Sequence, residues 1–425
     1  MRGRWPPASL LPSMSTREER MYRAELVRMA KESISHAASG TVNQAQDVFR
    51  VPAEAYTDEA RHKREIDRIF KRLPLVLAAT AELPENGDYK AMEAVGVPVL
   101  MTRGKDGAVR AFMNSCTHRG TYVAVEGRGN TALFTCPYHG WTFNREGALV
   151  GIASREDFGD VDPACLGLKP LPVLERAGLI WVILDPKSTL DIAAFLSGYD
   201  DLLQAFGFEH WHLFSQRTIK GPNWKIAYDG YLDFYHLPVL HGDTFGRDIS
   251  NKALYFAWGP HQRVATPSAQ VPSPDTANLI RLDERPESEW DTETLLSGVW
   301  TIFPHVSIAS FYGGGRGVMI SQLFPGENAG ESFTTQLYLL ESEPTPSERE
   351  EATKQFELLK YVVQTEDYET GMRQQKALQA GALDKVLFGR NEAGGQNFHR
   401  WVQTLLDTDD GNLQALFLPR RAAAE

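Results

Sequence analysis

Helical patterns of apolar residues occur near the start of the chain and again towards its end. We expect helices over 16–37 and 53–72, and a longer one over 346–378 that begins at a Thr-Pro-Ser-Glu sequence with cap and first-turn proline signals. A shorter helix is expected over 223–236. The first two contain no residues that suggest chemistry, whereas the other two contain candidate metal ligands.

Short strands occupy the region between the early and late helices. From about 74 to 185, runs such as 97–101 are separated by Gly, Asp, Asn and Pro, which predicts an all-β unit built from hairpins. From there onward strands and helices mix, with one strand expected over 209–220 and four more between 299 and 342. The chain is therefore expected to belong to the α+β class.

The composition of the 425-residue chain is that of a globular protein, with 42% hydrophobic and 23% charged residues. The formal net charge of −11 argues against nucleic acid as a main partner, because phosphate binding needs a basic surface, and it suits a basic redox partner. Three cysteines give no disulfide framework and no apolar run has the length of a membrane span, so a cytoplasmic location is expected. Residues 1–13 are expected to be a disordered extension or an upstream start.

Two Cys–His pairs form the first candidate metal site. Cys116 and His118 lie in one predicted turn, and Cys136 and His139 lie in a second. A structural zinc site can use the same ligand types, but zinc fingers usually pair Cys with Cys and His with His. A Rieske [2Fe–2S] centre takes two thiolates on one iron and two imidazoles on the other, which two Cys–His loops supply directly. The remaining Cys165 is interpreted as an inert thiol.

His236 and His241 are a second pair of candidate ligands. An ideal helix would separate residues at this spacing by about 140°, so we expect Pro238 to break the helix and let both imidazoles reach one ion. Asp233 lies three residues before His236 and is expected on the same helix face. Two histidines and one carboxylate with open positions form the facial triad of non-haem Fe(II) oxygenases, so a carboxylate from elsewhere is needed.

An acidic pair on the late helix offers that carboxylate. Asp367 is the preferred candidate and Glu366 is its rival. Taken without the histidines, an acidic run in the middle of a helix is more often a solvated face. The histidine pair next to a cluster motif favours the metal interpretation.

Together the two sites resemble the α subunits of Rieske non-haem iron ring-hydroxylating oxygenases. The resemblance extends over about 70–380 and rests on Cys-Thr-His-Arg-Gly, on Cys-Pro-Tyr-His-Gly-Trp, and on Asn-Trp-Lys followed by Asp-x-x-His-x-x-x-x-His. The family pattern places its distant aspartate after a Glu, where Asp367 stands. The resemblance implies one [2Fe–2S] cluster and one mononuclear Fe(II) per chain. The implied ligands are Cys116, His118, Cys136 and His139 for the cluster, and His236, His241 and Asp367 for the iron.

Two further carboxylates take roles from the same resemblance. Asp233 resembles the family's bridging carboxylate, which would link His236 to His139 of the neighbouring chain in a trimer and carry electrons between the two centres. Asp229 and Gly230 stand where many members have Glu and Asn. Asp229 is therefore a possible pocket acid, and Gly230 is expected to leave more room in the pocket.

A domain layout also follows from the resemblance. We expect an N-terminal helical segment over 1–64 that packs on the catalytic part, and an all-β Rieske domain over 65–185. A catalytic domain over 186–425 is expected to contain an antiparallel sheet flanked by helices. No Gly-x-Gly-x-x-Gly fingerprint follows a strand, so NADH is expected to act only through a separate reductase.

The expected function is that of a terminal oxygenase in a multicomponent system. A reductase or ferredoxin would supply electrons, and O₂ would react at the mononuclear iron with an aromatic or largely apolar substrate. One alternative is a monooxygenase or demethylase for quaternary ammonium, methoxy or N-methyl substrates, although relatives that oxidise such cations tend to have Glu where Asp233 stands. More remote alternatives are a Rieske electron carrier and an iron-free scaffold. A homotrimer, with or without a β subunit, is expected. Apolar residues that could line the pocket are Leu232, Phe234, Phe256, Trp258, Trp300, Phe303 and Phe311.

Overall fold

The N-terminal segment packs against the catalytic part of the chain. The computed structural model describes residues 16–246, 249–267, 270–271 and 280–417, so the extension expected over 1–13 lies outside the described residues. Leu26 and Met29 of the first helix are buried in the main core, and the first strand pairs antiparallel with Lys385–Phe388 near the other end of the chain. The predicted limits of this segment and of the two domains remain predictions. Its elements are α1 (Thr16–Ser39), β1 (Phe49–Pro52), α2 (Glu54–Thr57), α3 (Glu59–Glu65) and a π-helical turn (Ile66–Phe70).

An all-β unit follows, as the hairpin pattern predicts. Its elements are β2 (Leu75–Ala79), β3 (Asp88–Ala94), β4 (Val97–Arg103), β5 (Val109–Met113), β6 (Gly127–Asn130), β7 (Leu133–Thr135), β8 (Thr142–Asn144), β9 (Leu149–Gly151), α4 (Arg155–Phe158), β10 (Pro170–Leu171), β11 (Val173–Arg176) and β12 (Leu179–Val182). They form sheets of order β10-β5-β4-β3-β6, β7-β8-β9 and β11-β12-β2, in which the paired strands are antiparallel. Both cysteines of the predicted cluster belong to the core of this unit.

The second half of the chain is built on a seven-stranded antiparallel sheet with helices packed against it, which confirms the predicted α+β class. Its elements are α5 (Ile192–Leu196), α6 (Tyr199–Leu203), β13 (His212–Gly221), α7 (Trp224–Leu232), α8 (Leu237–Leu240), β14 (Leu254–Trp258), β15 (His261–Ala265), β16 (Gln270–Val271), β17 (Ile280–Arg281), α9 (Thr292–Leu295), β18 (Val299–Ile302), β19 (Val306–Tyr312), β20 (Arg316–Pro325), β21 (Ser332–Leu340), α10 (Pro346–Tyr361), a π-helical turn (Val362–Tyr368), α11 (Glu369–Gln379), β22 (Lys385–Phe388), α12 (Ala393–Asp407) and α13 (Asp410–Leu413). The sheet order is β13-β21-β20-β19-β18-β15-β14. None of the described helices combines the length and apolar character needed to cross a bilayer.

The Asn-Trp-Lys sequence fixes where α7 begins. The Asn223 side chain accepts a hydrogen bond from the Lys225 backbone N–H (2.8 Å), and its Nδ2 donates to the carbonyls of Tyr56 (3.2 Å) and Ala329 (2.7 Å). A cap of this kind satisfies a helix N–H group that has no partner within the helix. The same side chain therefore fastens the start of α7 to the N-terminal segment and to the connection between β20 and β21.

The predicted helix over 223–236 is wrong at its C-terminal end. Helix α7 stops at Leu232, and Asp233 has extended dihedral angles (φ −105°, ψ 108°), so Asp233 and His236 do not share a helix face. Pro238 lies in the first turn of α8, where no intrahelical partner is needed for its nitrogen, and it does not break a helix. The chain therefore bends before His236, and His241 follows directly after α8.

A buried charge cluster holds α7 against α3. Glu65 is fully buried, and its carboxylate accepts hydrogen bonds from Arg61 Nε (2.9 Å), Trp224 Nε1 (2.9 Å) and Lys225 Nζ. Burial lowers the pKa of Lys225, and the Glu65 carboxylate opposes this shift. The Trp-Lys pair of the motif thus serves to pack the helix that leads to the histidines.

Replacing Glu65 by Ala should lower the free energy of unfolding by about 3–5 kcal/mol, because the Lys225 ammonium would be left buried without its carboxylate. Urea denaturation followed by circular dichroism measures the change. The matched control is Glu350→Ala, which removes an exposed partner of Lys354 and should leave the curve in place. An unchanged curve for Glu65→Ala would contradict the role given to this pair.

Candidate metal centres

The two Cys–His loops have the same hydrogen-bonded shape. The first follows β5, and the second joins β7 to β8. The Gly120 N–H donates to the carbonyl of Cys116 (2.8 Å), and the Gly140 N–H donates in the same way to Cys136 (3.1 Å). Both glycines have positive φ, 86° and 68°, a conformation that residues with a side chain rarely adopt. Each loop can therefore curl tightly around its cysteine.

The side chains that these loops bring together fit a metal cluster. Cys116 and Cys136 are buried free thiols, and burial raises the pKa of Cys116. The rings of His118 and His139 lie with centroids 4.7 Å apart, and neither ring forms a hydrogen bond within the described part of the chain. Their Nδ1 atoms are buried, and a buried polar atom without a partner destabilises a fold unless something else binds it. Two sulfurs and two nitrogens are the donor set of a Rieske cluster.

Three side chains from distant segments converge at the second site. The Nε2 atoms of His236 and His241 lie 3.2 Å apart, and the Oδ1 atom of Asp367 lies 3.6 Å from the first and 3.1 Å from the second. Ligand atoms bonded to one ion at about 2.1 Å and at right angles stand about 3.0 Å apart. The observed separations therefore fit three adjacent positions around a single metal ion.

Carboxylates occupy the other nitrogen of each imidazole. Asp233 Oδ2 lies 3.1 Å from His236 Nδ1, and Glu366 Oε2 lies 2.7 Å from His241 Nδ1. A carboxylate at Nδ1 keeps the proton there and directs the Nε2 lone pair toward the ion. Asp233 Oδ1 also accepts the Tyr235 backbone N–H (2.6 Å), which fixes the bend between α7 and α8. The structure thus gives Glu366, the rival ligand in the sequence, a position from which it orients a histidine.

The π-helical turn between α10 and α11 lets two adjacent acids face the same histidine. Neighbouring side chains of an α-helix diverge by about 100°, whereas the wider π-turn winds less per residue. Glu366 and Asp367 consequently reach opposite nitrogens of His241, and Thr244 donates a hydrogen bond to Glu366. The apolar pattern over 346–378 predicts one regular helix and gives no signal of this turn.

Asp229 lies next to the triad in a cavity of about 280 Å³ that His236 also lines. We call it the polar cavity because four carboxylates line it, those of Asp229, Asp233, Asp367 and Glu392. Its carboxylate accepts a hydrogen bond from Tyr56 Oη (3.0 Å) and lies 2.9 Å from His399 Nε2. The Tyr56 hydroxyl is itself 3.0 Å from the same nitrogen, so the three groups contact one another. Neither Tyr56 nor His399 is predicted by the sequence, because both are distant in the chain from the acid that they bind.

A second, mostly apolar cavity of about 140 Å³ reaches the same ligands. Its walls come from α7, the seven-stranded sheet, α10 and the π-turn. Gly230 borders both cavities, and a Cβ there would meet no atom within 4 Å. The open space agrees with the expectation that a glycine at this position leaves more room in the pocket. Of the seven apolar candidates, Phe234 and Phe311 line this cavity. The other five belong to the core or pack against it, namely Leu232, Phe256, Trp258, Trp300 and Phe303.

Two family models match separate parts of the chain. The Rieske [2Fe-2S] domain matches residues 74–162, and the catalytic domain of the ring hydroxylating alpha subunit matches residues 208–408. These ranges contain all seven candidate ligands. The second match also distinguishes the chain from a protein that has a Rieske domain alone.

Relatives with matching sequences include oxygenase subunits of different specificity. The carnitine monooxygenase oxygenase subunit of Escherichia coli (strain K12) is 31% identical over 232 residues, which is 53% of this chain and 62% of the relative. The anthranilate 1,2-dioxygenase large subunit of Burkholderia cepacia is 34% identical over 206 residues, 46% of this chain and 48% of the relative. The chain thus spans about half to three fifths of the length of the curated relatives that it matches.

Solved structures show the same fold. A quaternary ammonium Rieske monooxygenase in complex with L-carnitine has a TM-score of 0.69 and 21% identity, with 85% of this chain and 97% of the other covered. Naphthalene 1,2-dioxygenase from Rhodococcus sp. bound to indole has a TM-score of 0.70 and 20% identity, with 90% and 98% covered.

Glu366→Gln should weaken Fe(II) binding about 10- to 100-fold, because the histidine loses the carboxylate that orients it. It should also change the pH dependence. Burial lowers the pKa of His241, but hydrogen bonds to Asp367 and Glu366 outweigh it and raise the pKa overall. Protons therefore compete with the metal as the pH falls through this raised pKa. Loss of the Glu366 charge should lower the pH at which the affinity reaches half of the variant's own high-pH value.

Competition with a chromogenic chelator across a pH series measures both effects. Glu369→Gln is the matched control, since Glu369 lies on the same helical run but is exposed and pairs with Arg373. Identical affinity and pH profile in Glu366→Gln and wild type would show that this acid does not act on the ligand.

Proposed function

The chain joins a Rieske [2Fe–2S] domain to a ring-hydroxylating catalytic domain and so belongs to the family of Rieske oxygenase α subunits, and we propose that it is the terminal oxygenase of a multicomponent system. The two domains imply one Rieske cluster and one mononuclear non-haem iron. The observation that carries the proposal is the convergence of His236, His241 and Asp367 beside an apolar cavity. An electron carrier or an iron-free scaffold would need neither the triad nor the cavity.

In the proposed assignment, each side chain has a separate task. Cys116, His118, Cys136 and His139 hold the cluster, and His236, His241 and Asp367 hold the iron. When bound, the cluster supplies single electrons and the iron activates O₂. Asp233 and Glu366 keep protons on the Nδ1 atoms of the two histidines, which leaves both Nε2 atoms free for metal. The Tyr56–Asp229–His399 group can hold a proton at the polar cavity.

Electrons are proposed to pass between subunits, from His139 of one chain to Asp233 of the next. Both centres lie at surfaces with exposed apolar side chains. Tyr138 next to the cluster is 59% exposed, and Tyr235 and Val239 next to the triad are 59% and 86% exposed. A subunit contact at these two surfaces would remove the exposed apolar side chains from water. A head-to-tail homotrimer would place one type of surface against the other.

The proposed electron donor is a separate reductase or ferredoxin, and a basic partner suits the net charge of −11. A reducing compartment such as the cytoplasm agrees with the two buried free thiols of the cluster site.

The substrate proposed for the apolar cavity is a compact molecule with about one ring. An apolar cavity of about 150 Å³ is known to bind benzene, and this cavity measures about 140 Å³. A small quaternary ammonium compound is the second candidate. Four aromatic rings line the cavity and could contact a cation, in keeping with the carnitine and glycine betaine relatives. These rings are Tyr231, Phe234, Phe245 and Phe311.

The purified protein should contain about three iron atoms per chain, two in the cluster and one in the triad. Asp367→Ala should reduce this to about two, keep the visible spectrum of the cluster and abolish substrate-dependent O₂ uptake with a generic reductase and NADH. Glu369→Ala is the control and should retain all three. Full iron content and turnover in Asp367→Ala would rule out this carboxylate as a ligand.

Co-expression of two inactive chains tests transfer between subunits. One chain carries Asp367→Ala and keeps its cluster, and the other carries Cys136→Ala and keeps its triad. Random trimers of the two should recover about a quarter of wild-type turnover, because half of the chains have an intact triad and half of those adjoin an intact cluster. Differential tags verify that mixed trimers form. Mixed trimers without turnover would show that electrons stay within one chain.

A further inference from the structure

A row of polar side chains crosses the catalytic sheet beneath the apolar cavity, and all of them except the partly exposed Arg217 are buried. Residues that pair directly across antiparallel strands point to the same face, and the register aligns one polar residue on each of six neighbouring strands. In sheet order these residues are Gln262, Thr301, Ser307, Ser321, Gln336 and Arg217. Such a row is unusual on the inner face of a sheet, which is normally apolar.

Two members of the row have ordinary structural partners. Gln262 Nε2 donates to the carbonyl of Gly394 (3.1 Å), and Thr301 Oγ1 donates to the carbonyl of Gln262 (3.1 Å). Ser307, Ser321 and Gln336 instead line the apolar cavity. Hydrogen bonds within the protein therefore explain the polar residues at the Gln262 end of the row, but not those that line the cavity.

Arg217 determines which atom of Gln336 faces the cavity. Gln336 is 1% exposed, and its Oε1 accepts a hydrogen bond from Arg217 Nε at 2.7 Å. A guanidinium nitrogen can only donate, so the oxygen of the amide must be the atom that faces Arg217. Both N–H bonds of Gln336 Nε2 are then left for other partners. Within the described residues, no protein group accepts from them.

The positive charge of Arg217 is poorly neutralised. Its guanidinium stacks on Phe356, with Cζ 3.6 Å from the ring centroid, and the nearest carboxylate in an ion pair is Glu357 at 3.6 Å. The Nη1 and Nη2 atoms are buried without hydrogen-bond partners among the described residues. Burial lowers the pKa of Arg217 to about 10, so the group is still a cation at neutral pH. A cation that is only partly neutralised therefore lies next to Gln336.

A donor left unpaired in an apolar cavity is unfavourable unless a ligand binds it. Ser307, which lines the cavity and is 6% exposed, adds a hydroxyl without a hydrogen-bond partner in the described part of the chain. An acceptor oxygen on the bound molecule would accept hydrogen bonds from Gln336 Nε2 and the Ser307 hydroxyl. A cationic ligand would instead be repelled by the positive charge of Arg217.

We propose that Gln336, held in orientation by Arg217, is a specificity-determining residue whose Nε2 donates to a carbonyl or carboxylate oxygen of the substrate. The proposal rests on the oxygenase function proposed above and narrows its substrate to compact ring compounds that bear such an oxygen. The oxygen lies on the sheet at Gln336, and the apolar part of the ring extends toward His236 and Asp367, which border the same cavity. Arg217 is a positioning residue, because it acts through Gln336.

The test compares two probes of the same shape, acetophenone and α-methylstyrene, which differ by C=O in place of C=CH₂. Isothermal titration with the iron-loaded protein should give acetophenone a dissociation constant about 10-fold or more lower, as expected for one buried hydrogen bond. Gln336→Leu should bring the two dissociation constants together. It should weaken the binding of acetophenone about 10- to 100-fold and leave the binding of α-methylstyrene unchanged or tighter. Arg217→Met should weaken the binding of acetophenone and leave that of α-methylstyrene unchanged.

The controls separate this role from a structural one. Thr335→Val changes the adjacent residue, whose side chain points to the opposite face of the same strand, and should keep the preference. A structural lesion at Arg217 would weaken both probes, and the iron content and thermal midpoint report on folding. Gln336→Leu alone decides the proposal if Arg217→Met does not fold.

Equal constants for the two probes in the wild type, or no binding of either, would overturn the proposal. So would a preference for acetophenone that survives in Gln336→Leu. Selective binding without acetophenone-dependent O₂ uptake would uphold the role of Gln336 and count against the oxygenase function, so the two failures are distinguishable.

Discussion

Three electron-rich atoms held within 3.6 Å of one another are the constraint on which the catalytic half depends. Two imidazole nitrogens and a carboxylate oxygen at these separations are stabilised by a positive charge between them, which a proton or a metal ion can supply. The surrounding structure holds this arrangement in place. Asp233 and Glu366 bind the remaining imidazole nitrogens, α7 ends one residue before Asp233, and a π-turn directs two adjacent acids at one histidine. The early end of α7 thus places Asp233 beside His236, and the π-turn places Glu366 and Asp367 around His241.

The ligand types could be predicted because most of them lie in short sequence motifs, while the backbone between them could not. The helical pattern that starts at Trp224 continues past Leu232, and what ends the helix is the Asp233 side chain, which binds the Tyr235 N–H and His236. The π-turn likewise depends on contacts with His241 and Thr244, far away in the sequence. Strand limits were easier, since a run of β-branched and aromatic residues is a local signal: the strand predicted from Val299 to Ile302 is β18.

Substrate class and reaction class are specified by different parts of the molecule. The proposed metal ligands are the types that Rieske oxygenases share, and relatives that act on carnitine and on anthranilate match the chain at 31% and 34% identity. Chemistry therefore follows from the two centres, whereas specificity follows from the cavity walls. In this chain Ser307, Ser321 and Gln336 are the polar residues that the sheet contributes to a mostly apolar cavity wall.

The contact among Tyr56, Asp229 and His399 joins three parts of the chain that are synthesised at very different times. Strand β1 meets its partner β22 only when most of the polypeptide has left the ribosome. The N-terminal segment must therefore remain incompletely folded during translation, with buried positions such as Leu26 and Tyr56 still in water. Val386, Leu387 and Phe388 of β22 line the polar cavity, so this wall beside the triad is completed only after that strand has emerged.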